Sequence, residues 1–382
     1  MEKIRKAQKI IRIFRKHEFE AYIVGGAVRD HVLNIPLTDI DITTNAKPHE
    51  VSKIFKTEPT GVKYGTVTAF FEDEQFEITT YRQDGSYDDN RHPSEIVFSD
   101  NVLDDLSRRD FRMNGLLMDD NLNVIDHVEG LEDIKQKVIQ TIGDPAHSFK
   151  EDSLRMLRAA YFESKLGFKI HMDTLVAMRN QAGLIENLAN ERVLQEMIKI
   201  IKGEHAKKAF ITLMDTGIDK YLPGLEKGLI QAVKIKKKLT VDIFFMMAFS
   251  LNKIVPKAWK FSNKHRHRYQ TISHIVNRVK KIDELTLYEY GIENCLLANH
   301  IQVLLGYDED KEKAIRHMYD KMTIKSELDL KLSATEMLER TQKKAGSWVG
   351  NIRKESVEKV LKNEIENEKE VLYSYVLEKI GE

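Results

Sequence analysis

Val24-Gly25-Gly26-Ala27-Val28-Arg29-Asp30, followed nine residues later by Asp39-Ile40-Asp41, is the stretch around which the chain is organised. Glu20 to Val24 reads as a buried strand, the two glycines let the backbone turn sharply, and Ala27 onward has the composition of a helix start. Free N–H groups on such a turn, the positive end of a helix and the Arg29 guanidinium converge on one point, where an anion such as phosphate is held. Gly-Gly after a strand is also a plain tight turn, and its spacing matches neither the dinucleotide fingerprint nor the P-loop. The acids sharpen the choice. With Ile40 pointing into a core, period-2 alternation throws Asp39 and Asp41 onto the opposite face, close enough to share divalent ions. Taken alone, Asp-x-Asp is equally a strand end with two solvated acids. A third carboxylate lies on a second strand, because Gln75-Phe76-Glu77-Ile78-Thr79-Thr80-Tyr81 alternates polar and apolar and turns Glu77 toward the same cleft. Hard oxygen ligands beside a phosphate-holding turn suit Mg²⁺ bound together with substrate phosphates, and point to two-metal phosphoryl or nucleotidyl transfer.

Composition limits the partners. The chain has 382 residues, 42% apolar and 31% charged, with a formal net charge of zero. That length predicts two or three domains, and a nucleic acid partner must then be met by a local basic surface rather than by a global field. One cysteine, Cys295, excludes an internal disulfide and fits a reducing compartment. The start lacks the apolar core of a signal peptide and no run reaches membrane-spanning length, so the expectation is a cytoplasmic protein without membrane association.

The glycine turn with Asp39-x-Asp41 resembles the head of the class II tRNA nucleotidyltransferases, the CCA-adding enzymes and their poly(A) polymerase relatives, within the DNA polymerase beta superfamily. Later motifs of that family follow in order. Arg108-Arg109-Asp110-Phe111-Arg112-Met113-Asn114 by itself reads as a helix-start ion pair. It resembles the family's RRDFTxNA motif, which implies that Arg109 meets the nucleotide triphosphate, that Asn114 supports the site and that Asp110 orients it. Arg112 and Gly115 depart from the usual Thr and Ala. Asp152, Arg155 and Arg158, three residues apart, read as neighbours on one helical face. A solvated ion pair has the same spacing. An Asp accepting and an Arg donating side by side match the amino donor and ring-nitrogen acceptor that cytosine and adenine share, and mismatch U and G. Glu151-Asp152-x-x-Arg155 resembles the family's EDxxR motif, to which this templating role belongs, with Arg158 as a further nucleotide contact. Ser148 and Tyr161 stand where the family usually has Arg. Glu191 and Arg192 resemble the ERhxxE motif, which implies a bracing role.

The remaining signals set the architecture. Ile4, Ala7, Ile11 and Phe14 recur at helical spacing, Lys47-Pro48-His49-Glu50 opens a short helix, and Thr66 to Phe71 forms an antiparallel pair with Phe76 to Tyr81 across the turn Glu72-Asp73-Glu74. Gln83 to Pro93 is polar and turn-rich, equally a lid or a surface loop; the resemblance implies a loop needed for the final A addition. From about residue 203 the pattern is helical. Nine Lys or Arg and no Asp or Glu occur between Lys253 and Lys281, with Trp259, Phe261 and Tyr269 interleaved. Lys257, Lys260, Lys264, Arg266 and Arg268 are therefore candidate tRNA contacts, with a solvated basic helix as the alternative.

The expectation is an α+β chain: a small mixed-sheet, polymerase-beta-like nucleotidyltransferase head over residues 1–140, a helical neck for base recognition over 141–205, and an all-helical, tRNA-binding body and tail over 206–382. The implied reaction is template-independent addition of CCA to the tRNA 3′ end from CTP and ATP. Asp39, Asp41 and Glu77 are the catalytic candidates, with Asp39 and Asp41 holding Mg²⁺. Gly25, Gly26, Arg29, Arg109, Asn114, Asp152, Arg155 and Arg158 are the nucleotide-binding candidates. A CC-only or A-only enzyme, a poly(A) polymerase and a catalytically silent RNA-binding protein are the alternatives; monomer or homodimer is left open.

Overall fold

A computed structural model describes residues 2–37, 39–84 and 96–381. The helix α1 (Glu2–Lys16) buries Ile4, Ala7, Ile10, Ile11 and Phe14, the stripe that its spacing predicts. After it come β1 (Ala21–Val24), α2 (Gly26–Val32), β2 (Asp41–Thr44), α3 (Pro48–Ile54), β3 (Lys56–Gly61), β4 (Thr66–Phe71) and β5 (Glu74–Thr80). A short pair, β6 (Arg82–Asp84) with β7 (Ile96–Phe98), leads to α4 (Val102–Ser107), and β8 (Leu116–Met118) and β9 (Val124–Asp126) complete the head.

Seven strands form one mixed sheet in the order β3-β4-β5-β2-β1-β8-β9. Every pairing is antiparallel except β2 with β5, which run parallel and place Asp41 beside Glu77. The β4–β5 hairpin is tighter than the sequence implies. Glu74 already pairs with Phe71, and the turn consists of Glu72 and Asp73, both at positive φ (46° and 62°) as a two-residue turn matched to strand twist requires. Edge strand β3 escapes the sequence reading because Lys56-Thr57-Glu58-Pro59-Thr60-Gly61 is polar, exposed and interrupted by proline, a composition tolerated only at a sheet edge. The stretch from Gln83 to Pro93, read as a lid or a surface loop, falls largely outside the described residues.

Beyond the sheet lie α5 (Gly130–Gln136), β10 (Val138–Ile139), α6 (Pro145–Glu151), α7 (Leu154–Leu166), β11 (Lys169–Ile170), α8 (Met172–Gln181), α9 (Asn190–Lys202) and α10 (Ala206–Asp215). The single helix expected to carry Asp152, Arg155 and Arg158 is broken. Asp152 has extended backbone (φ −136°, ψ 100°), and its Oδ1 accepts from Leu154 N at 3.1 Å. A short acid that bonds nearby backbone N–H groups favours such a start over a helix interior. Asp152 therefore precedes the helix that carries Arg155 and Arg158 and does not share its face by periodicity.

The chain divides into two compact units, residues 1–223 with 258–260, and 224–257 with 261–382. In the first, the sheet packs Ile23, Ile42, Phe76 and Ile78 inside, and Trp259 is fully buried with Nε1 donating to the Pro223 carbonyl at 2.7 Å. The second is helical throughout its described residues, with α11 (Glu226–Lys234), α12 (Val241–Asn252), α13 (Asn263–Arg278), α14 (Glu284–Tyr290), α15 (Ile292–Leu305), α16 (Glu312–Lys321), α17 (Ala334–Thr341), α18 (Ser347–Leu361) and α19 (Lys369–Ile380). Phe245, Phe249, Phe261 and Tyr269 form one aromatic cluster there, and Leu287, Cys295, Ile315, Val360 and Val376 contribute to a further core. No described helix is long and apolar enough to cross a membrane.

Candidate active site

The turn after β1 is built on Gly25, whose φ of 77° suits glycine, and a Cβ there would stand 3.3 Å from an Arg109 Nη. Arg109 thereby lies against the turn. It is fixed by Asp105, on α4, which accepts from Arg109 Nη2 at 2.9 Å, from Arg108 at 2.5 Å and from the Thr43 hydroxyl at 3.1 Å. Burial pushes the Asp105 carboxyl up, but the two guanidiniums outweigh it and hold the group below the usual carboxylate range. Asp105 was not singled out by sequence, although its place four residues before Arg109 on a helix is a signal for such a pair.

Asp39 and Asp41 flank the buried Ile40, and Asp41 sits across the parallel strand pair from Glu77, so all three carboxylates face one cleft. Asp41 is open to that cleft yet crowded by protein. Burial pushes its carboxyl up, Glu77 and then Asp39 push further, and Arg109 opposes them. Acids that resist sharing negative charge favour a bound cation. Among the described residues no group of three or more His, Cys, Asp or Glu is arranged to hold an ion unaided. An ion here would take Asp39 and Asp41 and fill its remaining positions with water or substrate oxygens, which suits a hard, octahedral cation.

The turn's other basic residue is committed below it. Arg29 is only 3% exposed; its Nε and Nη2 donate to Asp30 Oδ1 at 2.8 and 2.6 Å, and its Nη1 to Asn114 Oδ1 at 2.6 Å. Asn114 Nδ2 donates to Asp110 Oδ1 at 3.0 Å, and Arg158 Nε to Asp110 Oδ2 at 2.7 Å. Burial alone would raise the Asp110 carboxyl; Arg158, with hydrogen bonds from Asn114, Arg158 and the Phe111 N–H, more than reverses that and sets it below its ordinary value. Lys165 completes the chain of charges at 3.2 Å from Asp30. Phe162 packs beneath both guanidiniums, 5.0 Å from Arg29 and 5.4 Å from Arg158. Arg29, Asn114, Asp110 and Arg158 thus form one buried network that ties α2 to α7 (Leu154–Leu166).

On the helical wall, Arg155 Nη1 donates to Ser148 O, Ser148 Oγ and Glu151 Oε2, and its Nη2 to the Arg108 carbonyl at 2.6 Å. Ser148, a departure noted in the sequence, is here part of the clamp on Arg155. Asp152 Oδ2 accepts from Arg192 Nη2 at 3.2 Å. The sequence reading gave Arg192 a bracing role; the brace acts on this carboxylate. The cleft has a volume of about 1040 Å³ and brings together Gly25, Gly26, Arg29, Asp39, Asp41, Glu77, Arg109, Asn114, Asp152, Arg155 and Arg158, every catalytic and nucleotide-binding candidate from the sequence. Tyr161 and Lys199 line it as well.

The five basic candidates lie elsewhere. Lys257, Lys260 and Lys264 are exposed, and Arg266 and Arg268 half-buried. Arg266 donates to the Pro256 carbonyl at 3.3 Å. The interleaved aromatics do not face solvent: Trp259 and Tyr269 are buried, and Phe261 packs on Phe245, Phe249 and Tyr269. They serve the cores rather than a stacking platform. Their alternation with lysines and arginines comes from helix and loop amphipathicity.

Residues 21–140 match the family described as "Poly A polymerase head domain", residues 167–229 an "RNA and SrmB- binding site of polymerase A", and residues 242–376 "tRNA nucleotidyltransferase domain 2". The CCA-adding enzyme of Ligilactobacillus salivarius is 34% identical over 97% of this chain and 95% of its own length, and that of Bacillus licheniformis 36% identical over 97% of each. The crystal structure of the Bacillus stearothermophilus CCA-adding enzyme in complex with CTP superposes with a TM-score of 0.81, at 31% identity over 98% of this chain and 97% of that one.

Proposed function

The chain belongs to the CCA-adding enzyme family of tRNA nucleotidyltransferases, and from that premise we propose that it adds C, C and A to the 3′ end of tRNA, taking CTP and ATP and releasing pyrophosphate. One observation carries the reading: a single cleft holds the Asp39, Asp41 and Glu77 carboxylates together with Asp152 and Arg155. The first group is what nucleotidyl transfer needs, and the second is what choosing C and A without a template needs.

The family's chemistry implies a divalent metal, and the donor set fits Mg²⁺, with Asp39 and Asp41 as its protein ligands. Held there, such an ion would neutralise triphosphate charge and lower the pKa of the attacking 3′-hydroxyl. The chain's own groups do the rest. Glu77, beside Asp41, takes the hydroxyl proton. Arg109, anchored by Asp105 against the Gly25-Gly26 turn, binds phosphate oxygens, while Arg29 holds the turn from below. Asp152 keeps acceptor lone pairs beyond those used by Leu154 and Arg192, and Arg155 keeps the N–H groups not engaged by Ser148, Glu151 and Arg108. An amino donor beside an unprotonated ring nitrogen satisfies both; the reversed edges of U and G leave both unpaired in a partly dry site.

In this reading residues 1–140 are the catalytic head, 141–205 the base-reading neck and 206–382 the tRNA-binding body and tail, with Lys257, Lys260, Lys264, Arg266 and Arg268 on the tRNA phosphates. The protein works in the cytoplasm, consistent with its one cysteine, Cys295, buried and unpaired. The test is incubation of the purified chain and Mg²⁺ with transcripts ending at the discriminator base, at C and at CC, with each nucleotide supplied singly. C should be added to the first two, A only to the third, and U and G to none. C on the first two transcripts with no A on the third identifies a CC-only enzyme, A on the third with no C on the first two an A-only enzyme, a long A tail a poly(A) polymerase, and no product an RNA-binding protein on the same frame.

A further inference from the structure

Two side chains on the cleft wall have no part in the chemistry above. Tyr161 follows Arg158 by three residues on α7, is half-buried, and its ring lies 5.7 Å from the Lys199 ammonium of α9 (Asn190–Lys202). Lys199 keeps 47% of its side-chain exposure and donates to Glu196 Oε1 at 2.7 Å. Glu196 is buried, with Oε2 lacking any hydrogen-bond partner. An ammonium has three donors, so one bond to Glu196 fixes its position and leaves two for a ligand.

The two helices run alongside each other in the same sense. Arg192 of α9 meets Asp152 just ahead of α7, and seven residues further on Lys199 meets Tyr161, nine residues beyond Asp152. At the rise of an α-helix the seven residues on α9 span about 10 Å, comparable with an extended nucleoside triphosphate. The Asp152 end faces the base. The Tyr161 end adjoins Phe162, which packs under Arg29 at the foot of the Gly25-Gly26 turn. Arg29, Arg158 and Lys165 at that end are each paired with a carboxylate, Asp30 or Asp110, within the buried network. Lys199 stands outside that network and open to the cleft.

We propose that Lys199, steadied by Glu196 and the Tyr161 ring, is a nucleotide-binding residue that takes the distal phosphates of the incoming triphosphate. The proposal rests on the reading of this cleft as the nucleotide site. The terminal phosphates become the departing pyrophosphate, so the same contact holds the leaving group.

The test compares wild type, K199A and K199R by calorimetric titration with CTP and with CMP at fixed Mg²⁺, alongside steady-state addition to tRNA. Loss of one charge-assisted contact predicts CTP binding weaker by about tenfold in K199A, with CMP changed less than about twofold and K199R close to wild type. KM for both CTP and ATP should rise while the preference over UTP and GTP stays. Equal weakening of CTP and CMP overturns the proposal, since it marks a structural role, as does unchanged CTP binding. Wild type that binds CTP tightly but extends no transcript overturns the functional reading and leaves the phosphate contact standing on the binding ratio.

Discussion

At the scale of single residues, charge placement decides what each side chain does. Asp41 is pushed up by burial and by its neighbours Glu77 and Asp39, whereas Asp110 is held down because its cation, Arg158, is built in. Asp41→Ala should abolish incorporation of every nucleotide while tRNA binding, measured by filter retention, stays near wild type; substantial residual incorporation would show that the acid is no ligand. Asp110 carries a linkage with a definite sign. Its folded-state pKa lies below the unfolded value, so its stabilisation is present above the ordinary carboxylate pKa and is lost as pH falls through the folded one, from about pH 5 downward. Asp110→Asn should therefore lower Tm at neutral pH and flatten the fall of Tm on acidification; a parallel curve would remove Asp110 from that role. The residue types at these positions were readable in advance, whereas the fate of Arg29 was not. Its guanidinium is spent on Asp30 and Asn114, and Asn114 is 85 residues away in the chain.

At the scale of elements, the contact between α7 and α9 sets the helical wall of the cleft. Gly203, just past α9, allows the approach: a Cβ there would fall 1.8 Å from Ser164 Oγ and 2.7 Å from the Ser164 backbone, while Ser164 Oγ donates to Ile200 O at 2.5 Å. Backbone cannot yield as a flexible side-chain tip does. Gly203→Ala should cost about 1–3 kcal/mol of stability from overpacking and raise KM for CTP, because α9 carries the Arg192 that holds Asp152. An unchanged KM with a lowered Tm would separate packing from the site. Helical periodicity foresaw both helices. The break at Asp152 was missed because the run Phe149 to Ala160 is helix-favouring throughout, and only the Asp152 side chain bonding Leu154 N interrupts it.

At the scale of the whole molecule there are two compact units: the first contains the entire cleft, and the second carries Lys257, Lys264, Arg266 and Arg268. With zero net charge, tRNA affinity must come from such local groups, so its salt dependence counts them. Lys257→Ala, Lys264→Ala and Arg268→Ala should each reduce the slope of log affinity against log salt by about 1 if the side chain holds a phosphate. Arg266→Ala, whose guanidinium already serves Pro256, should change that slope less. A slope unchanged in all four would make this a merely solvated basic surface. The sequence by itself determined the strand-turn-helix of the head, the shared face of Asp39 and Asp41 and the helical second half. Each of those follows from spacing within a few residues, where period 2 or 3.6 says which side is buried. Only the tertiary structure decided that β5 lies parallel beside β2 and brings Glu77 to Asp41, that Arg192 reaches Asp152, that Lys199 stands over Tyr161, and that Trp259 and Tyr269 face inward. Periodicity names the face that must be covered; which distant segment covers it depends on the packing of the whole chain.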